Sequence, residues 1–187
     1  MDIPWGDEKT MQFLTNIGLI TTDGPYGPNV MACEWTHQVS YRPALISIHV
    51  NPKDATHENI LASKVFGINI ASTDQSVISS ITGGNSGKTT DKIKILEKLG
   101  FHFIQATEIP VLMVEGAAFW AECKLFDYRT IGDHTQFVGE VITATLHKEK
   151  EPLIYSAGKY WRRGENIPKP STEEMTKIKT IVESHKK

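Results

Sequence analysis

Between Ile17 and Trp161 the chain is written mostly in short runs where apolar and polar positions alternate. A period of two marks strands with one face in a core. The clearest case is RPALISIHV, where Ile46, Ile48 and Val50 interleave with Leu45, Ser47 and His49. IGLITT and NVMACEW flank the cluster DGPYGPN. Pro25 and Pro28 stop pairing there and Gly24 and Gly27 permit positive φ, so a hairpin is expected. VFGINIA is β-branched and apolar enough for a buried strand. EGAAFWAECKLFDY and QFVGEVITATLHK exceed the length of an average strand and are joined by the turn IGDH. Long antiparallel strands at such intervals predict a barrel that closes its own edges rather than an alternating βαβ sheet.

Helical spacing interrupts this pattern in a few places. DATHENILASK breaks the period of two and offers Asp54 and Thr56 as N-caps. Short helices are expected over 75–81 and 91–99, the second carrying Ile93, Leu96 and Leu99 on one face and stopped by Gly100. In PSTEEMTKIKTIVESHKK, Ser171 and Glu174 form a capping box, and Met175, Ile178 and Val182 make a narrow apolar stripe. That helix needs a surface to dock on. The linker RRGENIPKP allows its own barrel or a partner subunit equally. The division expected is therefore a barrel domain over 1–165, then a linker and helix over 166–187.

Composition narrows the classes. With 187 residues, 40% of them hydrophobic, one good core is affordable. Lys and Arg number 20 against 22 acids, a net charge of −2, which favours neither nucleic acid nor an anionic membrane as partner. No stretch approaches the ~20 apolar residues of a membrane span. The start, MDIPWGDEKT, lacks a basic and apolar leader. With the sparse pair Cys33 and Cys123 read as buried thiols, a reducing cytoplasm is the expected location. Neither HExxH, CxxC, GxSxG nor GxGxxG occurs, and the seven histidines have no metal-ligand spacing, so no metal site is expected. SITGGNSGKTTDKIK looks like a P-loop, but Gly83 to Gly87 encloses three residues where that loop needs four. It also lies between two expected helices rather than after a strand, and reads as a surface turn.

What remains is a set of polar residues at strand ends of an apolar framework: Asn29, Thr36, Ser40, Thr56, Asn59, Lys92 and His134, with Trp35 beside them. Each has an ordinary explanation. Asn29 caps a turn, Thr56 caps a helix, Lys92 is solvated and Trp35 sits in the core. Together and in order they resemble the flavin reductase-like family of FMN-binding split barrels, which includes flavoredoxins and archaeal ferric reductases. The likeness covers roughly residues 10–162. It rests on NVMACEWTHQVSYRPALISIHV, on DATHENILASKVFGINIAS with its Thr-x-x-Asn helix, on the Asp-Lys of TDKIK, and on the Gly-Asp-His turn of GDHTQFVGEV.

The resemblance implies a mainly β fold, an FMN-binding split β-barrel of Greek-key type with short helical insertions and a C-terminal helix. It also implies a homodimer with the site at the subunit interface. Asn29, Met31, Ala32, Trp35, Thr36 and Ser40 would line the isoalloxazine ring, whose flat face needs an apolar wall and whose edge needs a few hydrogen bonds. Thr56 and Asn59 at a helix start, with Lys92, would hold the phosphate. Asp54 stands where many members carry arginine, so neutralisation would rest on Lys53, Lys88 or Lys92. Glu34 replaces a residue that is often small. His134 would position and hydrogen-bond rather than act as acid or base, and Tyr160 and Trp161 match the aromatic end of the last strand.

The function implied is an oxidoreductase in which NADH or NADPH delivers hydride to flavin N5, and the electrons pass to a free flavin, a ferric complex or a redox partner protein. Two other readings keep the barrel and change the chemistry: a non-catalytic FMN carrier of flavoredoxin type, and a split barrel for another phosphorylated cofactor such as pyridoxal phosphate or a deazaflavin.

Overall fold

The computed structural model describes residues 1–186. A 3-10 turn (Glu8–Gln12) leads into β1 (Thr15–Asn16), β2 (Gly18–Thr22), β3 (Asn29–Cys33), β4 (Thr36–Tyr41) and β5 (Ala44–Val50). Then come α1 (Ala55–Ser63), β6 (Val65–Ile70), α2 (Ser76–Gly84) and α3 (Lys92–Lys98). The second half holds β7 (Phe103–Gln105), β8 (Leu112–Val114), β9 (Phe119–Ile131), β10 (His134–Leu146), β11 (Ile154–Ser156), β12 (Lys159–Trp161) and α4 (Thr172–Ser184). The expected hairpin, long strand pair and helices are all present, and the chain is mainly β.

Seven strands form one antiparallel sheet in the order β3-β2-β6-β9-β10-β5-β4. The sheet curls until its edge strands meet at the corner between Cys33 and Thr36. There the Thr36 hydroxyl donates to the Cys33 carbonyl at 3.0 Å, and a Cβ on Gly18 of β2 would collide with Thr36. The interior is filled from six strands and one helix: Ile20, Met31, Cys33, Ile48, Val50, Phe66, Ile68, Ala121, Cys123 and Phe137, with Ile60 of α1 plugging one end. Burying such apolar area is the main stabilising term. Ladder irregularities beside Gly139 bend β10 over Phe66, and a Cβ at position 139 would stand 2.5 Å from that ring. Glycine is required there because β10 crosses the aromatic core directly.

A second core lies outside the barrel. Ile78 of α2 and Ile93 and Leu96 of α3 pack with Leu19 and Val30, on the opposite face of β2 and β3 from the interior. β2 is therefore buried on both faces, which is why IGLIT is nearly continuous in apolar character rather than alternating. This layer also sets α3, and with it Lys92, against the end of the barrel near α1. The terminal helix has the expected capping box. Among the described residues none of its side chains is buried, so its docking on the chain's own barrel is not observed. Among the described residues no helix is long and apolar enough to cross a membrane.

Candidate functional site

Two groups of the expected site residues meet in space, one at each end of β3. At its N-terminal end β3 starts with Asn29, which is buried and donates from Nδ2 to the hydroxyl of the buried Thr56 at 2.9 Å. Thr56 is inside α1 rather than capping it. Asp54 takes the N-cap position, but its side chain accepts no capping hydrogen bond. The first-turn N–H groups of α1 therefore lack a side-chain acceptor, and a helix start of that kind attracts an anion.

Lys92 lies within range of the charge of Asp54, the N-cap of α1. Sequence reasoning gave a solvated lysine as its ordinary explanation, but it is 3% exposed, and its Nζ reaches the Thr82 carbonyl at the long distance of 3.4 Å. Burial pushes its ammonium from 10.5 down to about 8, with Asp54 pulling the other way. An ammonium has three protons to donate, and leaving them poorly matched in a buried place is costly. A phosphate dianion between Lys92 and the start of α1 would match them. The donor set fits such a group.

Asn59 departs from its expected role. Its Nδ2 donates to the Thr22 hydroxyl (3.1 Å) and the Gly27 carbonyl (3.0 Å), and its Oδ1 accepts the Tyr26 N–H (3.0 Å). Both amide protons are engaged, so Asn59 is the scaffold that fixes the β2–β3 turn to α1 and has no proton left to offer a ligand. Gly87, between α2 and α3, presses on this cluster. A Cβ there would collide with Asn29 Oδ1 and lie 3.2 Å from the Ala55 Cβ. The glycine-rich loop is thus packed against the site by a close approach that only glycine permits.

At the other end of β3 the corner carries Trp35, which is 46% exposed and so not a core residue. Its ring lies 4.8 Å from that of His134, tilted by 56°, and edge-on to His49 at 6.0 Å. His134 bonds through Nδ1 to the Asp133 carboxylate at 2.8 Å. A carboxylate can only accept there, so Nδ1 carries a proton, and Nε2 points away from this bond. His49, which sequence reasoning did not single out, is kept below the usual imidazole value by burial first and then by the neighbouring His134 and His37. It stays neutral beside Trp35 at physiological pH.

The remaining expected residues are more dispersed. Met31 and Ala32 cannot present side chains to one ring, because consecutive residues of a strand face opposite ways. Met31 belongs to the barrel interior and Ala32 packs toward α2. Thr36 lines a cavity of about 440 Å³ with Gln38, Leu45, Ile46, Ile68 and Phe119 at the mouth of the barrel. Ser40 sits four residues further along β4, roughly 13 Å away, beside a bulge. Tyr160 is tied to α2 through its hydroxyl, 2.9 Å from Ser80 Oγ and 3.3 Å from Ser79 Oγ. Lys88, offered by the resemblance as a phosphate partner, is instead paired with Glu58, in a cluster that sequence reasoning did not foresee. Glu58 accepts from the Tyr26 hydroxyl at 3.2 Å and from Lys88, whose Nζ lies 5.0 Å from the centre of the Tyr26 ring. Contacts between residues about thirty positions apart leave no local signal. Among the described residues no group of three or more His, Cys, Asp or Glu side chains could hold a metal ion. The arrangement suits an elongated ligand with a phosphate at one end and a flat aromatic group at the other.

The family model described as "Flavin reductase like domain" matches residues 10–163. The chain is 29% identical over 150 residues to "FMN reductase (NADH) SmoA" of Agrobacterium fabrum, covering 80% of each. It is 26% identical over 151 residues to the "NADH-dependent FAD reductase" of Streptomyces globisporus, again covering 80% of each. Among solved structures, the FMN-binding protein from Thermus thermophilus overlays with a TM-score of 0.78 at 22% identity, over 91% of this chain and 97% of that one, a likeness of fold.

Proposed function

The chain belongs to the flavin reductase like domain family, and from that premise we propose that it is an FMN-binding oxidoreductase reduced by NADH or NADPH. The observation that carries the proposal is Lys92, a cation 3% exposed, with one contact at 3.4 Å, set against an uncapped helix start. A bound flavin would supply the redox chemistry, taking hydride from the reduced nicotinamide and passing the two electrons on to a free flavin, or singly to two ferric complexes. Lys92 and the first turn of α1 hold the phosphate. Asn29 and Thr56 fix the backbone around it through their 2.9 Å hydrogen bond. Trp35 flanks the aromatic end and sheds water from it, while His134, oriented by Asp133, offers Nε2 for a hydrogen bond to an incoming nicotinamide. No side chain has to move a proton for hydride transfer.

The proposal includes a homodimer. Val39 and Tyr41 of β4 are 52% and 86% exposed beside the barrel-mouth cavity that Thr36 lines, and a second copy would cover them. Sedimentation at micromolar concentration should give the mass of two chains. The buried thiols Cys33 and Cys123 suit the cytoplasmic location proposed with it. The function is tested by adding FMN to the purified protein with NADH or NADPH. Flavin binding with loss of reduced-nicotinamide absorbance is expected. Flavin binding without that loss would leave a carrier and refute the reductase, and no flavin binding would refute the site.

A further inference from the structure

The glycine-rich loop that first looks like a P-loop is held shut by three side chains from three different segments. Tyr26 comes from the β2–β3 turn, Glu58 from the first turn of α1 and Lys88 from the loop between α2 and α3. Glu58 lies at the centre. Its carboxylate accepts from the Tyr26 hydroxyl at 3.2 and 3.3 Å and pairs with Lys88, whose ammonium also lies over the Tyr26 ring. Tyr26 is itself pinned to α1 by its N–H on Asn59. One residue before Lys88, Gly87 is pressed onto Asn29 and Ala55. The loop therefore crosses just outside the donors assigned to the phosphate, and the three side chains fasten it to α1.

Beyond that fastening lies an open cleft of about 560 Å³, lined by Tyr26, Gly87, Lys88, Asp91, Lys94 and Glu97 among others, so that its charges are mixed. Gly87 and Lys88 border it on one side while touching the phosphate cluster or α1 on the other. The loop is thus a partition between an inner place for one phosphate and an outer cleft with room for the rest of a longer ligand. A flavin mononucleotide ends at its phosphate and fits inside the partition. A flavin dinucleotide continues through a second phosphate to an adenosine, and has to cross it.

Resting on the flavin reading above, we propose that the Tyr26–Glu58–Lys88 cluster is a specificity latch, which closes the phosphate end of the site and selects FMN over FAD. Discrimination of this kind arises by obstructing the wrong ligand rather than by improving contacts to the right one. With the latch broken, the diphosphate passes under the loop and the uncharged adenosine takes the outer cleft, with Lys94 at its edge to meet the second phosphate. The residues of the latch are partly exposed, 28% for the Lys88 and 44% for the Glu58 side chain, so they can be exchanged without emptying a core.

The test is the ratio of FAD to FMN dissociation constants, read by flavin fluorescence quenching, in the unaltered protein, Glu58→Gln, Lys88→Met and the double variant. The unaltered protein should prefer FMN by about tenfold or more, and either single change should lower that ratio by about tenfold. The double variant should go no further than the singles, because both break one fastening. An unaltered protein that binds the two flavins equally, or a ratio unmoved in both single variants, overturns the latch. Failure of the unaltered protein to bind either flavin overturns the flavin reading itself, which keeps the two failures distinct.

Discussion

Replacing Lys92 by methionine should raise the stability of the ligand-free protein and weaken its hold on FMN. Methionine keeps the length and apolar stem of the side chain and removes the charge. In the ligand-free protein burial moves the Lys92 ammonium from 10.5 to about 8, a displacement worth about 3 kcal/mol. Between those two values the unfolded chain binds a proton that the folded one has released, so stability of the unaltered protein rises with pH across that window. Below about pH 8 the whole penalty stands. At neutral pH the variant should therefore be more stable by about 3 kcal/mol, or roughly 6 to 12 °C in Tm. The advantage should shrink to under about 1 kcal/mol by about pH 10.

FMN affinity should move the other way. Removing the cation from a buried phosphate contact costs about 2 to 5 kcal/mol, a Kd raised by about 30-fold to several thousand-fold. In the unaltered protein affinity should also fall as pH rises above about 8, since binding then requires Lys92 to take up a proton. The variant should lack that dependence. Thermal melts from neutral pH to about pH 10 and flavin fluorescence titrations provide the measurements. A variant less stable than its parent at neutral pH would show that the buried ammonium is already well solvated. An unchanged Kd for FMN would show that no phosphate meets it.

Glu122, 7% exposed in the barrel wall, accepts the N–H groups of Thr107, Glu108 and Ile109 and the Thr107 hydroxyl. Burial pushes its carboxyl up, but those four donors outweigh it and hold the group below its ordinary value. Glu122→Gln should cost about 2 kcal/mol in urea unfolding at neutral pH. Because the carboxyl is held below its ordinary value, its stabilisation is full above the ordinary carboxylate range and is lost as the pH falls through the folded value, so the difference should close on acidification. His134→Ala should slow NADH oxidation by less than about 100-fold while FMN binding persists, since larger losses belong to general acids and bases. A greater loss with a new pH profile would make His134 a proton-transfer group. Cys33 and Cys123 are buried, and burial pushes Cys123 up to about 12. A disulfide reagent should label neither in the folded protein and both after unfolding; rapid labelling of the native protein would refute their burial.

The elements set by short-range pattern were legible in the sequence. The β9–β10 pair and α4 with its Ser171–Glu174 box were expected close to where they stand. α2 extends to Gly84, past the expected end at 81, and the Thr82 hydroxyl within the added turn bonds back to the Ile78 carbonyl. The opposite facing of Met31 and Ala32 follows from the pleat alone, although the resemblance set both against one ring. Lys92 and Trp35 were not legible, and their ordinary explanations are reversed: the lysine is buried and the tryptophan is half-exposed. No residue type announces its own burial when the layer that covers it comes from elsewhere in the chain.

The sequence by itself determined the strand and helix periods, the caps and the charge balance, because each depends on residues within a turn or two of one another. The tertiary structure alone decided that α3 brings Lys92 within range of Asp54 at the start of α1, and that Tyr26 and Lys88 close on the Glu58 carboxylate. Those contacts join positions about thirty residues or more apart. They exist because the barrel and its outer layer of helices bury apolar surface in one arrangement, and the polar groups meet where that packing leaves them.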